Sequence, residues 1–171
     1  MPASAIWRPT TKCPNLADFA RQVALHMRDR DLEEVTATGW ATGRQEWADH
    51  ITALLESHAG RAVIRGASRH GRPVSVFGAI ECWPGVWSAW MVATDEWPRV
   101  ALRTTRAVIR EVLPAVWARG AHRIEARSIS GYDEAHRWLK TLGASHESTL
   151  QAFGRDQQDF EVFVWRSDDH V

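Results

Sequence analysis

Cysteine is nearly missing from this 171-residue chain: Cys13 and Cys82 are its only two, and they lie far apart. That excludes a disulfide framework and leaves two buried or surface thiols in a reducing compartment. Net charge is missing too, with 21 Lys and Arg against 21 Asp and Glu. The balance argues against nucleic-acid binding driven by bulk charge and leaves room only for a local basic face. No apolar run approaches the roughly 20 residues that a membrane helix needs, so no membrane partner is expected. Met1 to Ser4 carry neither the basic nor the apolar region of a signal peptide. The eight histidines show no metal spacing, and none sits in a His-Glu-x-x-His arrangement, so a zinc site is rejected. There is no Gly-x-Ser-x-Gly elbow and no phosphate-loop Gly-Lys-Ser/Thr. Tyrosine occurs once, at Tyr132, against ten tryptophans. The tryptophans are scattered from Trp7 to Trp165 and read as core filler and rim, not as a repeat.

What is present is organised around residues 88–143, which read strand, helix, strand, helix. Residues 88–94 are a short apolar run, as in a buried strand. Asp95 and Glu96 then offer an acidic helix start, and Pro98 stands where a missing N–H costs nothing. From Arg99 to Arg119 the apolar residues follow a helical rhythm, closed by Gly120. Residues 122–127 alternate polar and apolar like a half-buried strand. A second helix pattern covers 131–142, with Ala135, Trp138, Leu139 and Leu142 on one face and Gly143 as its stop. Two strands joined by one helix imply a parallel β-α-β crossover.

The flanks complete one domain over 1–171, a length that buries roughly 70% of the unfolded surface. Residues 1–14 read as an extended lead broken by prolines, with Trp7 pinning it to the body. Asn15 or Asp18 caps a helix to Arg28, Asp31 caps a short helix through Thr36, and a third helix runs over 44–58. Residues 62–65, 74–82 and 86–94 form an antiparallel meander with turns at 69–72 and at Pro84-Gly85. Strands at 146–152 and 160–165 follow, and 167–171 is a polar tail. The fold class is α+β: a mixed twisted sheet with helices on both faces.

Tyr132-Asp-Glu-Ala-His-Arg-Trp-Leu-Lys-Thr-Leu-Gly-Ala144 resembles the late segment of the GNAT superfamily of N-acetyltransferases, which commonly runs Asn-x-x-Ala-x-x-Phe-Tyr-x-x-x-Gly-Phe. Ala135, Trp138, Leu142 and Gly143 fit it. Tyr132, Leu139 and Ala144 stand where the family has Asn, Tyr and Phe. The element order over 60–166 fits the same family. A narrower resemblance, to GNAT-like proteins of tailed bacteriophages grouped with an internal virion protein, rests on four stretches. These are Val23-Ala-x-x-Met27-Arg28-x-x-Asp31-x-x-Glu34-Val35, Pro73 to Gly78, Trp90 to Thr94, and Trp138-Leu-Lys-x-Leu-Gly143.

The family resemblance implies acetyl-CoA as donor and an amine as acceptor. It implies that the pyrophosphate lies on backbone N–H groups at a helix start, a natural anion site. The family usually supplies Arg/Gln-x-x-Gly-x-Gly/Ala there. This chain has Trp97-Pro-Arg-Val-Ala-Leu-Arg103, without glycine and with one donor lost at Pro98. Arg99, Arg103 and Arg106 are the residues left to meet phosphate, with Arg99 and Arg103 four apart on one helix face, against the alternative of a solvated basic face balanced by Asp95 and Glu96. Val92, Thr94 and Leu139 are the other expected cofactor contacts. The family's usual acid falls at Leu139, which cannot donate a proton, so Tyr132 is the candidate in its place, with capping or packing as its other reading. Glu81 and Asp95 are the candidate bases, each open to the reading of a solvated strand-end carboxylate. Two functions therefore stand open. One is acyl transfer from acetyl-CoA to an amine. The other is a catalytically silent GNAT-fold virion or assembly protein, whose partners are other phage proteins or copies of itself. The corresponding location is the host cytoplasm or the virion.

Overall fold

Asn15 opens the first helix as its cap: its side chain accepts the Asp18 N–H at 2.8 Å. The computed structural model describes residues 4–6, 15–58 and 60–167. The expectations for Trp7, Cys13 and the last residues of the tail lie outside the described residues. Helix α1 (Leu16–Leu25) buries Phe19, Ala20, Val23 and Ala24. Helix α2 (Asp29–Ala37) follows, then α3 (Arg44–Ser57). Asp31 is not the cap of α2. It lies inside the first turn, its carboxylate turned to another element, because the N-cap is Arg28, three residues earlier than its charge pattern implies.

Within the extended lead, β1 (Ser4–Ile6) pairs antiparallel with β2 (Ala62–Arg69). Strand β2 turns through His70 and Gly71, both at positive φ, into β3 (Arg72–Trp83). Gly66 of β2 leaves room for the Phe19 ring, since a Cβ there would stand 2.4 Å from it. Strand β3 pairs antiparallel with β4 (Val86–Ala93). The chain then makes a 3-10 turn at Trp97–Arg99 and two helices, α4 (Ala101–Ala107) and α5 (Leu113–Trp117), joined by a π-helical turn at Val108–Val112. One unbroken helix was the sequence expectation. Pro114 lacks an N–H and its ring would meet a carbonyl one turn back, and the π turn just before it accommodates both.

Strand β5 (Arg123–Ile129) lies parallel to β4, as the crossover pattern requires. Helix α6 (Asp133–Thr141), β6 (Ser145–Leu150) and β7 (Phe160–Arg166) complete the fold. The seven strands form one mixed sheet in the order β1-β2-β3-β4-β5-β7-β6. Helices α1 and α3 cover one face over Ile64, Val76, Ile80 and Val92. The α4–α5 run and α6 cover the other, over Val63, Phe77, Ala93 and Phe163. This is the α+β architecture expected, with helices on both faces. No helix among the described residues is long and apolar enough to cross a membrane.

Candidate active site

Strands β4 and β5 are paired only at Val86↔Arg123, Trp87↔Ile124 and Ser88↔Glu125. Each is held along its full length by its other neighbour, β4 by β3 and β5 by β7. Beyond Ser88 and Glu125 the two strands part, and the sheet acquires an opening.

Helix α2 reaches into that opening from one side. The Arg28 N–H donates to the Ala93 carbonyl of β4 at 2.9 Å. Asp31 Oδ2 accepts the Ala93 N–H at 2.7 Å, and Oδ1 accepts the Tyr132 O–H at 2.8 Å. The Arg28 guanidinium pairs with the same carboxylate at 2.9 Å. One turn further along α2, Glu34 Oε2 accepts the Ser128 O–H at 2.6 Å and the Ile129 N–H at 2.8 Å, both on β5. The two carboxylates thus cap opposite strands. Asp31 is buried beside a cation, which stabilises its charge. Glu34 has no ion pair among the described residues. Burial pushes its carboxyl up to about 7, against the lowering effect of its two donors. Oε1 of Glu34 accepts no hydrogen bond from a described residue.

A cavity of about 400 Å³ runs through this opening, lined by Glu34, Met91, Val92, Ser128, Tyr132 and Leu139 among others. Its rim carries Trp40, 99% exposed, and Phe153, 41% exposed. Arg155 ties the two rim loops together by donating to the Gly39 and Ala41 carbonyls on either side of Trp40. No group of three or more His, Cys, Asp or Glu among the described residues could hold a metal ion.

The residues expected from sequence divide. Val92, Tyr132 and Leu139 line the cavity. The Tyr132 hydroxyl is committed to Asp31, and burial together with that carboxylate raises its pKa. Its proton therefore points at an acceptor that is already charged, which suits a tie between α6 and α2 better than a proton donor. The Thr94 N–H donates to Val74 on β3 at 2.8 Å. Backbone groups alternate sides along a strand, so the amides of Val92 and Thr94 turn to β3. Those of Met91 and Ala93 turn to the opening. Ala93 is already engaged by α2, whereas Met91 lies beyond the last β4–β5 pair at Ser88↔Glu125.

Glu81 and Asp95 are not among the cavity lining. Glu81 sits at the closed end of the β3–β4 hairpin, where its carboxylate accepts the Gly85 N–H at 3.4 Å. Asp95 is exposed beyond the end of β4 and borders a separate depression with Thr94. Arg99 and Arg103 are exposed and make no ion pair with a described residue. Glu96 pairs with Arg69 at 3.0 Å and does not balance them. The 3-10 turn already uses the N–H groups of Trp97, Arg99 and Val100. The first-turn donors of Ala101, Leu102 and Arg103 are left. Trp138 is half-buried, not buried as its motif implies. Its Nε1–H donates to Thr105 at 2.9 Å, and its ring meets Trp97 edge-on at 5.2 Å. Leu142 is buried as expected. Asp31 and Glu34 were missed as site residues. Their spacing was the available signal, since acids three apart on a helix share a face.

No protein-family model matches the sequence, and no curated protein matches it. Solved structures do. A GNAT-family structure from Desulfovibrio desulfuricans matches with a TM-score of 0.63 at 21% identity, over 96% of this chain and 99% of its own. The yncA structure from Salmonella typhimurium, solved with its cofactor acetyl-CoA, matches with a TM-score of 0.70 at 17% identity, over 99% and 96%. The ribosomal-protein-alanine N-acetyltransferase from Brucella melitensis matches with a TM-score of 0.66 at 15% identity, over 95% and 99%. At these identities the shared property is the fold, and the fold is that of the GNAT acetyltransferases. None of these three carries a phage or virion description, so the phage resemblance rests on the sequence motifs alone.

Proposed function

We propose that the chain transfers an acetyl group from acetyl-CoA to an amine, using the opening between β4 and β5. The observation that carries this reading is the backbone of Met91, on the parted edge of β4 beyond its last pair with β5, in a cavity also lined by Glu34, a carboxylate with no ion pair among the described residues. An unpaired strand edge takes a slender amide-bearing chain by backbone pairing. The arm of acetyl-CoA is such a chain, so the residues fit it. The pyrophosphate end fits less well. It has the first-turn amides of Ala101 to Arg103, with Arg99 and Arg103 beside them, and no glycine to let phosphate come close.

When bound, acetyl-CoA supplies an acetyl group activated as a thioester. The chain's part is to hold the acceptor amine in the cavity, remove its extra proton and exclude bulk water. Leu139 has no proton to give and the Tyr132 O–H is directed at Asp31, so the acid role falls to water. The test is release of free thiol from acetyl-CoA in the presence of a short peptide with a free amino terminus. Acceptor-dependent release supports the reading.

A second reading has one observation in its favour. The backbone of Ala93, which also faces the opening, is already occupied on both its N–H and C=O by Arg28 and Asp31. A cleft bound by its own chain suits a silent GNAT-fold protein serving in an assembly, of the virion type suggested by the phage-like motifs. Acetyl-CoA that neither binds nor releases thiol would favour it.

A further inference from the structure

We infer that Glu34 is the proton acceptor for the amine: its Oε2 is fixed by Ser128 and Ile129, and its Oε1, on a side chain that lines the cavity, accepts from no described residue. This rests on the acetyl-transfer reading. Among the carboxylates of the site, Glu34 alone combines fixed geometry with an oxygen that accepts from no described residue and with no ion pair among the described residues. Asp31 is saturated by Arg28, Tyr132 and Ala93. Glu134 is over half exposed and reaches Arg28 at 3.4 Å.

The anchoring matters chemically. Two donors on one oxygen hold the carboxyl plane, so the second oxygen is presented in one direction without loss of side-chain freedom on each encounter. The step balances simply. The ammonium gives one proton to Oε1, leaving a neutral amine with a free lone pair and a neutral carboxyl, which water then restores to carboxylate. Burial places the midpoint of that carboxyl at about 7, where a base is both available and strong enough to act. Burial raises it, the Ser128 and Ile129 donors lower it, and the charged groups on its own helix act less strongly, Asp31 raising it and Arg30 lowering it. Arg28, Arg127, Tyr132 and Glu134 stand around the same cavity, with His50 from α3.

The experiment uses the full chain, acetyl-CoA and a short peptide with a free amino terminus, with thiol release followed against pH and acetyl-CoA binding followed separately by calorimetry. Glu34→Gln should lower the rate by about 100-fold or more and remove the rising limb near pH 7, with acetyl-CoA affinity unchanged. Ser128→Ala removes a donor that favours the ionised form, so its limb should move to higher pH. The carboxyl carbon of Glu34, assigned by its loss in Glu34→Gln, should titrate near 7 in the free protein. Normal turnover and an unchanged limb in Glu34→Gln would overturn this role while leaving acetyl transfer standing. A carboxyl midpoint in the ordinary glutamate range would also overturn it. Absence of acetyl-CoA binding would overturn the transfer reading itself, and with it the role of Glu34.

Discussion

Asp31 and Glu34 lie one turn apart on α2 and hold opposite sides of the parted strand pair, Asp31 on Ala93 of β4 and Glu34 on Ile129 of β5. The helix therefore bridges the place where the sheet hydrogen bonds stop. Each carboxylate satisfies a strand-edge N–H that would otherwise face the cavity without a partner.

Asp31→Ala should be severely destabilising. It leaves the Arg28 cation, the Ala93 N–H and the Tyr132 O–H without their shared acceptor. Breaking a buried pair from one side costs about 3–5 kcal/mol. Urea melts check this. A loss below about 1 kcal/mol would mean that Asp31 is not what holds α2 to β4.

Glu34→Gln should change the pH dependence of stability. Glu34 titrates at about 7 in the folded chain, above its ordinary value. Its contribution is then fully present below the ordinary carboxylate range and is lost as pH rises through 7. The variant should gain on the wild type across that window, by roughly 1–3 kcal/mol once solvent screening of a half-buried group is allowed for. Thermal melts from pH 4 to 8 read the difference directly, and a flat difference would contradict the shift.

Tyr132→Phe separates a structural tie from an acid. Losing a hydrogen bond to a charged acceptor costs about 1.5–3 kcal/mol in stability. Thiol release per folded molecule should stay within a few-fold of wild type. A fall of about 100-fold with acetyl-CoA affinity intact would restore Tyr132 as the proton donor in place of Leu139.

Much of the fold was legible in local patterns. Asn15 marks the start of α1, His70 and Gly71 mark the β2–β3 turn, and the helical rhythm after Arg99 marks the crossover between parallel strands. The site was less legible because its defining bonds are remote: Asp31 and Ala93 are 62 residues apart, and Glu34 and Ser128 are 94 apart. No local rhythm reports such a pairing. Which amides of β4 face the opening was not legible either, because it depends on the register with β3, and a one-residue difference reverses the answer.

Trp40 and Trp138 should behave oppositely, although both border the site region. Trp40 is 99% exposed, so Trp40→Ala should leave stability within about 0.5 kcal/mol of wild type and act only on the acceptor KM. Trp138 packs on Trp97 and donates to Thr105, so Trp138→Ala should cost about 2–4 kcal/mol. Equal effects in urea melts would contradict this placement of α6 and the rim.

On the proposed reading acetyl-CoA enters between β4 and β5, held weakly because Pro98 and the missing glycines thin out the phosphate donors and Arg99 and Arg103 must stand in. Isothermal calorimetry with acetyl-CoA tests it most directly, on the wild type and on the combined Arg99→Ala and Arg103→Ala variant. Wild-type binding should have a Kd above roughly 100 μM, weaker than about 5.5 kcal/mol, and should be lost in the double variant. Absence of binding at millimolar acetyl-CoA, or micromolar binding that survives the double change, would contradict it.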